Sequence, residues 1–331
     1  MNHPPGRYPS NYHLVVLENC FLRCRMCHMW KSEKESEELP VSAWKDFISS
    51  LKGIVDEKSQ IHFVGGEPLM KDSITDLVRF SSECGFKSSM TTNAFLIDRK
   101  KAKQIAESGL DTLVISLDSL NQETHDYLRG AKGAYQKAME AIAYFDELSS
   151  DSPKIHINTI IMAMNINDLI DLVKWVDAHK RVSFISFQAV MQPFFTAIDN
   201  YWYKDCEFNF LWPKDIKQVN LAIDELIRLK RDGSRITNPI LQLEAFKSYF
   251  LFPDSFVKKG ECNLGHDSLT VNSHGDMFLC LEKEPLGNIR NDFIKDLWLS
   301  EKIIKIRQQI KACKKNCKSI INCFFEEDSN D

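Results

Sequence analysis

At 331 residues, 44% of them hydrophobic, the chain is long enough to bury a large core, as one big domain with an appendage, and fits an enzyme better than a scaffold. Its formal net charge of −4 offers no general attraction to nucleic acid. No apolar run approaches the roughly 20 residues of a membrane span, and the opening Met1-Asn2-His3-Pro4-Pro5 lacks the basic and apolar regions of a signal peptide.

Taken in chain order, short β-branched or apolar runs alternate with longer amphipathic stretches. Strands are expected at His13 to Leu17, Gln60 to Val64, Lys87 to Thr92, Thr112 to Leu117, Lys154 to Ile161 and Ser183 to Gln188. Helical patterns lie between them, at Val41 to Ile54, Ser73 to Cys84, Arg99 to Ser108, Tyr135 to Glu147 and Ile166 to Ala178. Six such units predict an α/β fold, a partial (β/α)6 barrel of the TIM type, with functional residues at the C-terminal ends of the strands. The expected organisation is a barrel over residues 1–212, a helical connector over 213–260 and a small cysteine-bearing domain over 261–331.

Ten cysteines in a chain with no export signal point to thiolate ligands in a reduced cytoplasm rather than to disulfides. Three of them, Cys20, Cys24 and Cys27, directly follow the first strand with CxxxCxxC spacing. Three thiolates hold a four-iron cluster but leave one iron open, whereas electron carriers use four cysteines. Cysteine and histidine spacings of this kind also bind zinc, which stands as the alternative. After the second strand comes Gly65-Gly66-Glu67-Pro68, whose glycines let backbone approach a ligand and whose carboxylate can accept from an ammonium group. Asn93 follows the third strand and Asp118 the fourth. A second group, Cys262, Cys280, Cys313, Cys317 and Cys323, occupies the C-terminal region, with Glu327 where a further cysteine would continue the pattern. The turn around Gly275 between short strand-like runs brings Cys262 and Cys280 to one side of a hairpin. Five thiolates suffice for one four-cysteine cluster with one to spare, and a zinc ribbon is again the alternative.

These motifs resemble those of the radical S-adenosylmethionine (radical SAM) superfamily, and the C-terminal cysteines resemble its SPASM/Twitch extension. The resemblance departs at Met26, where relatives carry an aromatic residue; a thioether fills the same space. It implies a [4Fe-4S] cluster on Cys20, Cys24 and Cys27 that binds SAM, and one auxiliary [4Fe-4S] cluster. It further implies SAM contacts at Gly65, Gly66, Glu67 and Pro68 for the amino group, at Ser116 and Asp118 for the ribose, at Arg129 for the carboxylate and at Gln188 for the adenine, with Asn93 in the same set. Reductive cleavage of SAM would give a 5′-deoxyadenosyl radical that removes hydrogen from an unactivated carbon, fed by a flavodoxin- or ferredoxin-type donor. The expected outcome is net oxidation of a small metabolite of the sugar or cyclitol type, or of a short peptide.

Cross-linking or epimerisation in a ribosomal peptide is the alternative, opposed by the 19 residues before Cys20, too few for a fused leader-recognition module. A non-catalytic iron–sulfur electron carrier is the reading of another class, and it leaves the SAM-contact set unexplained. Cys206, in the aromatic run after the last barrel strand, is the one candidate catalytic side chain, as a hydrogen-atom donor; simple packing is the competing explanation. No nucleic-acid or membrane partner is expected.

Overall fold

The computed structural model describes residues 8–31, 38–54, 59–148, 150, 153–197, 199, 201–204, 207–257 and 261–323. Cys206 and Glu327 lie outside the described residues. Six parallel strands follow one another across the sheet: β1 (Asn11–Leu17), β2 (Gln60–Gly65), β3 (Lys87–Thr92), β4 (Thr112–Ser116), β5 (Lys154–Ile161) and β6 (Val182–Ala189). Between them run α1 (Val41–Ser50), α2 (Ile74–Glu83), α3 (Arg99–Ala106), α4 (Gln122–Arg129), α5 (Ala134–Asp146) and α6 (Leu169–Ala178).

Buried sheets of this kind usually read as continuous apolar runs, yet β1, β2 and β5 alternate between buried and half-buried residues. The reason is that only one face is packed by helices. On it Tyr12, Leu14, Ile61, Phe63, Leu113, Ile115, Ile155, Ile157 and Ile185 are fully buried. The other face, with Asn158, Ile160, Ser186 and Gln188, turns toward the hollow of the partial barrel. Helix starts follow side-chain capping: Asp98 accepts from the Lys101 amide at 2.7 Å and Asn121 from the Thr124 amide at 3.0 Å.

After β6 come α7 (Ile216–Arg231) and α8 (Ile240–Leu251), within the stretch expected to be helical connector. The C-terminal part holds α9 (Leu264–Asp267), β7 (Ser268–Val271), β8 (Asp276–Phe278), β9 (Gly287–Asn288), α10 (Ile294–Leu297), α11 (Glu301–Lys311) and α12 (Lys318–Asn322). Its strands do not form a sheet of their own. β7 pairs in parallel with β1, Asn11 against Ser268 through Leu14 against Val271, and β8 and β9 follow antiparallel. The result is one nine-stranded sheet in the order β6-β5-β4-β3-β2-β1-β7-β8-β9. Tyr8 stacks on Trp298 at 5.6 Å between ring centres, and Arg307 lies over the other ring of that packing, 4.1 Å from the Trp298 centre. No helix is long and apolar enough to cross a membrane among the described residues.

Burial holds four histidines neutral: His13 and His125 are pulled down to about 3, His62 and His156 to about 4. His13 and His62 stack at 5.1 Å between ring centres, on neighbouring strands. Because these folded-state values lie below the unfolded value near 6.5, the stability they confer is complete above that pH and is lost as pH falls toward 4 and 3. Unfolding of the cluster-free chain should therefore take up protons below pH 6.5, with a slope of up to about 5 kcal/mol per pH unit from four groups. Denaturant titrations at pH 7, 6 and 5 measure it, and His156→Phe should remove roughly a quarter of the slope. Equal stability at pH 6.5 and 5 would show that these side chains are not held neutral.

Candidate active site

The loop after β1 carries Cys20, Cys24 and Cys27, with Cys24 buried and the other two half-buried. It is gripped from two sides. On one, the Gly66 amide donates to the Leu17 carbonyl at 2.8 Å and the Glu67 amide to the Asn19 carbonyl at 3.0 Å. On the other, the Arg25 amide donates to the Leu128 carbonyl at 2.9 Å, at the end of α4. The glycines explain the closeness: a Cβ on Gly66 would stand 2.1 Å from the Asn19 carbonyl oxygen, and one on Gly130 2.1 Å from that of Arg23. Gly130 also caps α4 in the left-handed region, φ 63°. What Gly66 and Gly130 approach on this side is the cysteine loop's own backbone.

The carboxylate of Glu67 is likewise engaged by the protein. It is fully buried, accepting from the Thr92 hydroxyl at 2.7 Å, the Asn93 amide at 2.8 Å and the Leu69 amide at 3.1 Å. Burial pushes its pKa up and these three donors pull it back. These bonds tie the ends of β2 and β3 together. Pro68 opens the short helical turn that Glu67 caps. Asn93, at the end of β3, turns its side-chain amide toward Cys20, 3.9 Å from the sulfur.

Asp118 and Arg129, expected on opposite parts of one ligand, face each other. Their ion pair measures 2.8 Å, with the carboxylate fully buried and the guanidinium nearly so. Asp118 also accepts from the Ile160 amide at 3.0 Å, and its own amide donates to Nδ1 of His125 at 3.1 Å. Cys24 lies close enough for its charge to act on the guanidinium. Burial raises the Asp118 carboxyl against the pull of Arg129. Ser116 ends β4, buried.

Burial lifts Cys20 to about 11 and Cys24 to about 12, with the charge of Cys27 adding to both. In the C-terminal group Cys262 is buried and Cys280, Cys313 and Cys317 are half-buried. Burial raises the Cys280 thiol, reinforced by the charges of Cys262 and Cys313, and lifts Cys317 to about 11, reinforced by Glu282 and Cys280. Cys323 is exposed as a residue, yet burial of its thiol raises its pKa against the pull of Lys318. Among the described residues no three His, Cys, Asp or Glu side chains converge as the ligands of one metal ion do.

A cavity of about 930 Å³ is lined by a neighbour of the first cysteine group and by one cysteine of the second. It runs from Met26, next to Cys27, past Ile160 and Gln188 to Cys317, and its outer wall is the aromatic segment that includes Phe194, Phe195 and Tyr201.

Residues 14–176 match the family model of the radical SAM superfamily, and residues 262–323 match that of the SPASM iron-sulfur cluster-binding domain. The chain belongs to the radical SAM superfamily. Its curated relatives include the PqqA peptide cyclase of Bradyrhizobium diazoefficiens, 28% identical over 49% of this chain and 41% of that protein. They also include an AdoMet-dependent heme synthase of Methanosarcina barkeri, 24% identical over 90% of this chain and 84% of that protein. The chain spans less than half the length of the first of these. Among solved structures, SuiB of Streptococcus suis bound to S-adenosylmethionine superposes with a TM-score of 0.70 at 17% identity, over 94% of this chain and 73% of that one.

This radical SAM protein thus carries a core for a SAM-bound iron–sulfur cluster and a SPASM domain for auxiliary iron–sulfur binding. The donors are sulfur at both sites: three thiols on a loop held between β2 and α4, and a C-terminal set in which Cys280 feels the charges of Cys262 and Cys313 and Cys317 that of Cys280. The sequence reading missed His125, which holds the Asp118 backbone, and Asn165, whose Nδ2 donates to the Asp118 carbonyl at 2.7 Å. The residues between Asp118 and Arg129 are mostly polar, with no apolar period to mark α4.

Proposed function

We propose that the chain acts in the cytoplasm as a radical SAM enzyme on a short peptide, removing hydrogen from an unactivated carbon in the cavity and completing a net two-electron oxidation. Cys20, Cys24 and Cys27 would hold the first cluster, which with SAM bound and one electron supplied by a flavodoxin- or ferredoxin-type protein would supply the 5′-deoxyadenosyl radical. Hydrogen transfer from substrate to that radical leaves a carbon radical. Loss of a proton and of one further electron, toward the C-terminal cysteine site, ends the reaction.

The observation that carries this reading is the cavity lined by both Met26, beside Cys27, and Cys317, because a substrate held there would lie near a member of each cysteine group. Its size lies within the range of small-molecule sites. Phe194, Phe195 and Tyr201 are 38%, 55% and 54% exposed on its outer wall. Exposed apolar groups massed at a cavity mouth mark a binding surface, and they suit peptide side chains better than the hydroxyls of a sugar. Phe195 also holds a left-handed backbone, φ 58°, a strain that bulky residues tolerate mainly where function requires it. Lys318, over the Phe194 ring at 4.6 Å, offers a cation to an acidic group of the substrate. The cyclase and heme synthase names among the relatives support carbon-centred chemistry on either peptide or small molecule, and oxidation of a small metabolite is the second reading.

Within the proposal Asn93, Ser116 and Gln188 border SAM, and Glu67, Asp118 and Arg129 support the loop and strand ends that hold it. Cys262, Cys280, Cys313 and Cys317 are the auxiliary ligands and Cys323 is the spare, since Cys280 feels the charges of Cys262 and Cys313 and Cys317 that of Cys280, whereas the charge acting on Cys323 is that of Lys318. Replacing Cys262 or Cys280 by Ala should leave 5′-deoxyadenosine formation within about threefold of wild type while oxidised product is lost. Chromatography of both products, with circular dichroism to confirm folding, measures the split. Folded variant that still forms product at the wild-type rate would remove the electron-accepting role of the C-terminal site.

A further inference from the structure

β6 ends the sheet on one side, so its outward amides and carbonyls lack a strand partner. Unprotected edges invite pairing with other chains, and unsatisfied backbone groups are costly. Here each outward residue is met in turn. The Ile185 amide donates to the Arg235 carbonyl at 3.0 Å, and the Thr237 amide to the Ile185 carbonyl at 2.9 Å. The side chain of Asn238 then takes over both groups of Phe187, accepting from its amide at 2.7 Å and donating to its carbonyl at 2.8 Å. Asn322 does the same at Ala189, accepting at 2.8 Å and donating at 3.0 Å.

The two asparagines belong to one chain of bonds. Asn238 donates to Gln242 at 2.8 Å, and Gln242 donates to the Ile321 carbonyl at 3.1 Å, beside Asn322. Asn238 and Gln242 are buried, as are Ile320 and Ile321. A carboxamide that both accepts and donates reproduces what a neighbouring strand would offer. Asn322 closes α12, and the residue that caps the start of α12 is Cys317. Ala189, Asn322 and Cys317 all line the same cavity.

We propose that Asn322 is a positioning residue: by taking the place of a strand at Ala189, it fastens the helix headed by Cys317 to the cavity wall. The C-terminal iron–sulfur site and the substrate-facing end of β6 then move as one body. Displacement of the wall beside Gln188 on substrate binding is felt at Cys317, and the distance between cluster and substrate is set by two hydrogen bonds. This rests on the assignment of Cys317 to the auxiliary site, but not on the nature of the substrate.

The test uses the anaerobically reconstituted protein with SAM bound and three variants. Asn322→Leu keeps the volume and removes both bonds, Asn322→Asp keeps the acceptor for the Ala189 amide and removes the donor, and Gln242→Leu breaks the chain one link away. Hydrogen exchange of the peptide covering residues 185–190, iron content, and the electron paramagnetic resonance signal of the C-terminal cluster are read together. Asn322→Leu is expected to retain iron, to speed exchange at the end of β6 by ~10-fold or more, and to change the auxiliary signal while leaving that of the first cluster as in wild type. Asn322→Asp should keep slow exchange at Ala189 yet show the altered signal. If Asn322→Leu does not fold, Asn322→Asp and Gln242→Leu carry the same comparison. Wild-type exchange and an unchanged auxiliary signal in the folded variants would overturn the proposal. Absence of any auxiliary signal in the wild type would instead remove the cluster assignment beneath it.

Discussion

Replacing Cys20, Cys24 and Cys27 together by Ala is expected to abolish conversion of SAM to 5′-deoxyadenosine while leaving the C-terminal iron in place. The two cysteine groups have no ligand in common. The wild type should carry about eight irons, as two four-iron clusters require, and the triple variant about four. Its remaining signal should match the auxiliary signal of the wild type. Deoxyadenosine formation by the triple variant would overturn the reading of the first site. A wild type with about four irons and one zinc would show a structural ribbon at the C-terminus instead.

A second large effect is expected from a single methyl group. Gly66→Ala would set carbon 2.1 Å from the Asn19 carbonyl oxygen and 2.6 Å from that of Glu18, and both obstacles are backbone. Gly130→Ala meets the Arg23 carbonyl oxygen at 2.1 Å, with the added strain of φ +63°. Overpacking of this kind costs about 1–3 kcal/mol where neighbours can shift, and here the part that must shift is the cysteine loop. Iron bound at the first site and deoxyadenosine formation should fall together by at least tenfold in either variant, while C-terminal iron stays. Gly133→Ala is the control: φ is +85°, but nothing lies within 4 Å of the added carbon. It should cost stability without costing iron. Full first-site iron in Gly66→Ala would show that the loop does not depend on this close approach.

The barrel strands were legible because apolar periodicity is a local property. The bounds expected for Lys87–Thr92 and Lys154–Ile161 are those of β3 and β5. The cysteine motifs were legible for a related reason, since spacing along a loop limits which thiols can share a cluster. Side-chain direction was not. Glu67 sits in a motif that suggests a ligand contact, and only the packing of β2 against β3 shows its carboxylate turned onto Thr92 and Asn93. Asp118 and Arg129 pair across ten intervening residues because α4 brings them together, and α4 buries too few apolar residues to announce itself. The partners of β6 were invisible for the opposite reason: Asn238 and Asn322 are isolated polar residues, and a strand-like role for a single carboxamide leaves no period in the sequence.

The pairing of β1 with β7 bears on how the chain is made. Asn11 and Asp267, bonded at 3.2 Å, are 256 residues apart, so one edge of β1 emerges from the ribosome long before the strand that will cover it. At ordinary rates of synthesis the delay is roughly 10–50 s, during which β2 can pair with β1 on one side while the other side stays bare. Long-range pairing of this kind is slow and aggregation-exposed. A chain interrupted anywhere before Ser268 keeps that edge open for good, so nonsense and proteolytic fragments that contain every residue of the first cysteine loop should be prone to associate through β1.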